Sequence, residues 1–252
     1  MINSDLTGKT ALITGASRGI GAALAKAFAQ QGAKVILASR KQPDLDAVAN
    51  EIQEAGGHAV GIACHMGKAD QVAALFKRIQ DDVGRLDVLV NNAATNPYFG
   101  PFIMAEESVF DKTFEVNVKG YFLAAREAGR MMAAQGGGSI INIASIEGLR
   151  PSPLMGIYSM TKAAVIMMTK VMARELGGAG VRCNCVCPGL TETKFARVLI
   201  DTPEIYKHYV DAAPMGRHAQ PEEIVGAVLY LASDASTYTT GAVITCDGGA
   251  SI

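Results

Sequence analysis

Thr10-Ala11-Leu12-Ile13-Thr14-Gly15-Ala16-Ser17-Arg18-Gly19-Ile20-Gly21 is the stretch whose reading decides the fold. The short apolar run Thr10 to Ile13 reads as a buried strand. The glycines follow it as G-x-x-x-G-x-G, and a helical pattern runs from Ile20 to Gln31 with Leu24, Ala27 and Phe28 on one face. Strand, glycine turn and helix start, in that order, make a variant of the dinucleotide-binding fingerprint. Gly15 permits the tight turn, Gly19 lets backbone approach a pyrophosphate, and Gly21 lets helix and strand pack closely. Ser17, Arg18 and Ile20 share the loop, and the free N–H groups of the helix start are suited to phosphate.

Outward from this unit the same alternation continues. Strands are expected at Lys34 to Ala38, Ala59 to Ala63, Leu86 to Val90, Ser139 to Ala144, Val181 to Val186 and Ala242 to Cys246. Helical patterns fall between them at Asp44 to Ala55, Ala69 to Val83, Glu106 to Ala134, Met155 to Leu176 and Pro221 to Ala232. Unbroken apolar strands alternating with helices imply a parallel sheet covered on both faces, an α/β doubly wound architecture. The 252 residues fit one domain spanning 1–252. Its longest irregular stretch, Pro188 to Arg217, has the length of a substrate-binding loop.

Composition narrows the function classes. Hydrophobic residues make up 49% and charged residues 19%, with a net charge of −1. There is no basic excess for nucleic acid, no apolar run of membrane-spanning length and no signal-peptide pattern in Met1-Ile2-Asn3-Ser4-Asp5. A cytoplasmic location is expected. Cys183, Cys185 and Cys187 alternate along one strand and so share a face. Same-face strand positions diverge from a single tetrahedral point, so packing under a helix is the preferred reading over a metal site. No metal is expected, and Cys64 and Cys246 read as further core residues.

The end of the second strand bears on cofactor choice. An acid there would bind adenosine ribose hydroxyls, whereas basic groups accommodate a 2′-phosphate. The chain reads Ala38-Ser39-Arg40-Lys41, with Arg18 able to reach the same phosphate. The expectation is NADP(H), against the alternative that Arg40 and Lys41 are solvated surface charges.

Tyr158 and Lys162, in Tyr158-Ser159-Met160-Thr161-Lys162, are four apart and share a helix face. A nearby ammonium favours phenolate and is expected to lower the tyrosine pKa, which suits proton exchange with an alcohol or carbonyl oxygen. Ser145 ends the fifth strand, at the sheet edge where open parallel sheets hold ligands. Asn117 sits in an otherwise apolar helix, as a structural kink or as part of a polar relay. Asn91-Asn92-Ala93-Ala94 closes the fourth strand with residues suited to a tight turn beside a ligand.

Thr14 to Gly21, Asn91 to Ala94, Asn117, Ser145, Tyr158-x-x-x-Lys162 and Pro188-Gly189 stand in the order and spacing of the short-chain dehydrogenase/reductase family, which the chain resembles over its whole length. The resemblance implies a seven-stranded Rossmann sheet of order 3-2-1-4-5-6-7 and a homotetramer. It implies that Tyr158 is the general acid/base, that Lys162 lowers its pKa and holds the nicotinamide ribose, and that Ser145 positions the substrate oxygen. Asn117 would support a water linking Lys162 to solvent. Pro188, Gly189, Thr191 and Thr193 would border the cofactor, as would Asn92 and Ala93. Where the family often carries an acid near the adenine, this chain has Cys64-His65-Met66. His65 would stack on or bond the adenine, or face solvent. His58, His208 and His218 show no partner in sequence.

Substrate-facing candidates by analogy are Asn96, Tyr98, Phe99, Glu147, Met155, Leu190 and Phe195, mostly apolar, as suits a ketone, aldehyde or secondary alcohol. Glu147 would bond a polar substrate group or, the preferred reading, point to water at the cleft mouth. An NADP(H)-dependent carbonyl reductase or alcohol dehydrogenase is expected. The alternatives are a 3-oxoacyl-carrier-protein reductase, for which Arg126 and Arg130 could dock an acidic carrier, and an inactive nucleotide-binding regulator, which the intact Asn117, Ser145, Tyr158 and Lys162 argue against. Apolar residues round nearly the whole helix from Met155 to Leu176 predict a second packing partner, another subunit.

Overall fold

Side-chain alternation along the strands divides the interior into two layers. In the first strand, Ala11 and Ile13 pack into one layer with Leu24, Phe28, Leu45, Val228 and Leu231, while Leu12 packs into the other with Val72, Phe76, Ile79, Leu123 and Met132. In the second strand Val35 and Leu37 join the first layer and Ile36 the second. A strand apolar on both sides must be covered on both sides, and that requirement places helices above and below the sheet.

The protein is described here from a computed structural model over residues 4–252. The polar reading of Met1, Ile2 and Asn3 lies outside the described residues. Seven parallel strands form one sheet in the order β3-β2-β1-β4-β5-β6-β7. They are β1 (Thr10–Thr14), β2 (Lys34–Ser39), β3 (His58–Ala63), β4 (Val88–Asn91), β5 (Gly138–Ile143), β6 (Val181–Pro188) and β7 (Val243–Cys246). The helices are α1 (Gly19–Gln30), α2 (Gln42–Glu54), α3 (Ala69–Asp82), α4 (Glu107–Phe114), α5 (Gly120–Ala134), α6 (Gly156–Leu176), α7 (Arg197–Ile200), α8 (Pro203–Ala212) and α9 (Glu222–Ala232). The order reverses direction between β1 and β4, so the ligand crevice opens beyond their carboxyl ends. No helix among the described residues is long and apolar enough to cross a membrane.

Two elements depart from the expected pattern. The helix expected from Glu106 to Ala134 is broken into α4 and α5 by a π turn at Glu115–Lys119, with Asn117 at its centre. The irregular stretch from Pro188 to Arg217 contains α7 and α8, and Thr191 is tied to Ala219 by an isolated parallel bridge. Along α6, Tyr158, Lys162, Val165, Ile166 and Thr169 are buried, while Met160, Met167 and Val171 form an exposed stripe. Cys183, Cys185 and Cys187 are buried, with the last two sulfurs 3.9 Å apart, and all five cysteines are free.

Candidate active site

The β1–α1 loop and the ends of β2, β3, β4, β5 and β6 converge on one cavity of about 500 Å³. At one end it is lined by Gly15, Ser17, Arg18, Gly19, Ile20, Ser39, Arg40, His65, Met66, Asn92 and Ala93. Pro188, Gly189, Thr191 and Thr193 form the facing wall. Gly21 does not line it. A Cβ on Gly21 would lie 2.3 Å from the Gly15 carbonyl oxygen and 2.6 Å from Asn92 Nδ2, so this glycine lets α1 seat against the loop.

The loop fits a phosphate-bearing dinucleotide. A Cβ on Gly15 would meet Ala93 Cα and Asn92 Nδ2 at 2.9 Å, in space the backbone already occupies. Asn92 Nδ2 donates to the Thr14 carbonyl at 2.9 Å and Thr14 Oγ1 accepts from the Asn92 N–H at 2.9 Å, which staples the loop to β4. The first turn of α1 carries no acidic side chain, and Arg18 makes no side-chain capping bond. The helix amides are left for an anion. Arg18 and Arg40 are exposed and unpaired in any ion pair among the described residues, and Lys41 does not line the cavity.

At the other end stand Ser145, Glu147, Met155, Tyr158, Leu190 and Phe195, with Lys162 behind Tyr158. Ser145 follows β5, its Oγ accepts from the Glu147 N–H at 3.1 Å, and it lines the cavity together with Tyr158. Lys162 is buried, and its Nζ donates to the Ile143 carbonyl at 2.8 Å and to Tyr121 Oη at 3.5 Å. Burial lowers the Lys162 pKa to about 8. The expected lowering of the Tyr158 pKa by Lys162 is not what the geometry produces. Burial drives the phenol upward, the nearby Ser145 hydroxyl opposes it, and the Glu147 and Tyr209 groups add to the rise. The reason is placement: Lys162 Nζ is aimed at Ile143 and sits 5.5 Å from the centre of the Tyr158 ring.

Asn117 is buried and does not line the cavity. Its Oδ1 accepts from the Thr95 N–H at 2.8 Å, and its Nδ2 donates to the Thr95 carbonyl at 2.9 Å and to Thr161 Oγ1 at 3.1 Å. Asn96, Tyr98 and Phe99 also lie off the lining: the Asn96 amide meets Met155 Sδ at 3.3 Å, and Tyr98 donates to the Pro101 carbonyl at 2.8 Å. His65 lines the cavity, with Nδ1 accepting from the Gly67 N–H and Nε2 3.2 Å from Lys112 Nζ. Burial and the Lys112 charge lower its pKa. Glu147 does not point to water. It is buried, and its carboxylate accepts from the Ser152 N–H and Oγ, from Ser159 Oγ and from Tyr209 Oη.

A family model described as enoyl-(acyl carrier protein) reductase matches residues 15–251. Dehydrogenase/reductase SDR family member 4 of Bos taurus is 38% identical over 246 residues, covering 98% of this chain and 88% of that one. The chain belongs to the short-chain dehydrogenase/reductase family. A solved short-chain type dehydrogenase/reductase from Mycobacterium marinum is 40% identical with a TM-score of 0.93, over 98% of this chain and 97% of that one. A gluconate 5-dehydrogenase from Burkholderia cenocepacia J2315, solved in complex with NADP and tartrate, is 33% identical with a TM-score of 0.95 over the same shares.

Several residues of this short-chain dehydrogenase/reductase site carry no signal in the sequence. Tyr121 is fully buried, donates to the Ile143 carbonyl at 3.0 Å and faces Lys162. Its spacing of four from Asn117 is the one clue, and the π turn alters that register. Thr95, Lys112 and Tyr209 line the cavity from segments distant in sequence. His218, read as partnerless, meets Tyr206 Oη at 2.9 Å and Glu192 at 3.3 Å.

Proposed function

We propose that this chain is an NADP(H)-dependent carbonyl reductase or alcohol dehydrogenase, a single-domain cytoplasmic homotetramer in which Tyr158 exchanges a proton with the substrate oxygen. The observation that carries the reading is that Ser145 and Tyr158 line one cavity together, beside a buried lysine, where its dinucleotide and substrate halves meet. The nicotinamide, when bound, supplies or accepts the hydride.

The protein's own groups account for the proton. Burial keeps the Tyr158 phenol protonated, so it is loaded as a donor for the reductive direction. Ser145 holds the substrate oxygen beside it. Lys162, a cation below about pH 8, stands close enough to stabilise the phenolate once the proton has left. Its charge therefore acts on the product of proton transfer more than on the resting phenol. Asn117 contributes by position, holding Thr95 at the cavity wall. Arg18 and Arg40, with no competing acid, support NADP(H) over NAD(H). The exposed apolar stripe on α6 supports subunit packing.

An acyl-carrier-protein substrate is the runner-up within the family. Its docking candidates Arg126 and Arg130 are both engaged with Glu127, which leaves less free positive charge for an acidic carrier. Comparing acetoacetyl thioesters with simple ketones separates the two.

Replacing Tyr158 by Phe tests the central claim. Turnover of a ketone panel with NADPH should fall by about 10³-fold or more, while NADPH binding followed by fluorescence stays within a few-fold. Activity within a few-fold of wild type would remove Tyr158 from the chemistry.

A further inference from the structure

Glu147 is a carboxylate placed where the reacting end of the substrate must lie. It is 5% exposed, lines the substrate half of the cavity with Met155, Leu190, Phe195 and Tyr209, and follows Ser145 by two residues. Every partner it has is a neutral donor: Ser152 N–H at 2.8 Å and Oγ at 2.6 Å, Ser159 Oγ at 3.2 Å, Tyr209 Oη at 3.3 Å. No ion pair reaches it among the described residues. Three donors serve the carboxylate and Ser159 shares its one hydroxyl proton between it and the Met155 carbonyl at 3.0 Å, so Glu147 has little left to offer a substrate hydroxyl or amide directly. What it does project into the cavity is charge. Hydrogen bonds from neutral groups spread a negative charge without cancelling it, and burial leaves it weakly screened.

The cations of the cavity do not neutralise it. Arg18, Arg40 and Lys112 belong to the dinucleotide end. Lys162 is committed to the Ile143 carbonyl and Tyr121. Lys194 is exposed and forms no ion pair with Glu147. A substrate carboxylate or phosphate near the carbonyl would therefore meet a like charge with no counter-ion beside it.

We propose that Glu147 is a specificity-determining residue that confines this site to uncharged or cationic carbonyl and alcohol substrates and rejects anionic ones. The inference rests on the carbonyl-reductase reading above and adds the charge class of the substrate. Tyr209 has a separate part: its phenol, carried on α8, seats that helix on Glu147 and closes the substrate wall.

The test uses 4-oxopentanamide and 4-oxopentanoate, nearly isosteric ketones that differ by one negative charge, each reduced with NADPH by the full-length protein. Wild type should favour the amide in kcat/KM by roughly thirtyfold or more, the scale of a like-charge contact in a partly screened site. Glu147→Gln should bring the two substrates within about threefold, chiefly by lowering KM for the acid. Tyr209→Phe keeps the charge and loses the α8 contact, so it should raise KM for both substrates and preserve their ratio. Equal use of acid and amide by wild type overturns the inference, as does an unchanged ratio in Glu147→Gln or a collapsed ratio in Tyr209→Phe. If Glu147→Gln does not fold, the wild-type and Tyr209→Phe ratios still decide. Failure to turn over either substrate or any other simple ketone instead sinks the underlying reductase reading.

Discussion

The Lys162 ammonium donates a 2.8 Å hydrogen bond to the Ile143 carbonyl, at the last residue of β5, from a position that is 1% exposed. A buried cation on a neutral acceptor costs desolvation, and this one is pulled from the ordinary 10.5 to about 8.

The sign of the resulting pH effect is definite. Between about pH 8 and 10.5 the unfolded chain holds a lysine proton that the folded chain has released. Stability contributed at this position therefore rises with pH across that window. Lys162→Met lacks the effect. Relative to wild type it should be as stable or more stable at pH 7.5, and should lose ground by about 3 kcal/mol by pH 10.5. Urea melts of both proteins across the window measure the difference, and parallel curves would refute it.

Asn117 and Thr95 exchange two hydrogen bonds, one each way, across a gap of 22 residues. Asn117→Ala removes both partners of the half-buried Thr95 backbone and should cost about 1–3 kcal/mol. Turnover should fall at least tenfold, because Thr95 lines the cavity. Asn117→Asp should rescue little, since a carboxylate cannot donate to the Thr95 carbonyl. Thermal melts and steady-state rates of the two variants, compared side by side, check this.

Arg40→Ala probes the cofactor preference. On the proposed NADP(H) reading, losing the Arg40 guanidinium should raise KM for NADPH about tenfold or more and leave NADH within threefold. Equal kcat/KM of wild type for the two cofactors would count against the preference outright.

Gly21→Ala and Gly226→Ala form a matched pair, both inside helices. Alanine ordinarily stabilises a helix interior over glycine by about 0.5–1 kcal/mol, and Gly226 has open space around a new Cβ. Gly226→Ala should gain that amount. At Gly21 the Cβ meets the Gly15 carbonyl at 2.3 Å, so the same substitution should lose about 2–3 kcal/mol and weaken NADPH binding. Chemical denaturation of the two variants should move in opposite directions.

The strands, the glycine loop and the shared face of Tyr158 and Lys162 were legible in the amino-acid sequence because each depends on local periodicity or on residues within a few positions. Strand alternation alone implied helices on both faces of the sheet. The helix across Glu106 to Ala134 was legible as helical and not as broken. The π turn at Asn117 is carried by hydrogen bonds to Thr95 and Thr161, and the second of these spans 44 residues.

Charge behaviour followed the same division. Spacing by itself put an ammonium near a phenol and so forecast a lowered tyrosine pKa. Desolvation depends on everything packed around the ring, and here it outweighs the Ser145 hydroxyl and drives the phenol up, while Lys162 is aimed at the Ile143 carbonyl. Glu147 is exposed or buried according to whether α8 brings Tyr209 back across 62 residues, and Ser152 and Ser159 fold onto the same carboxylate. The sequence by itself therefore determined the sheet, the glycine loop and the shared helix face of Tyr158 and Lys162, through short-range pattern. Tertiary structure alone decided the direction of the Tyr158 and Lys162 pKa shifts and the burial of the Glu147 carboxylate, because solvent exclusion and hydrogen-bond partnership are set by atoms that only the folded chain brings together.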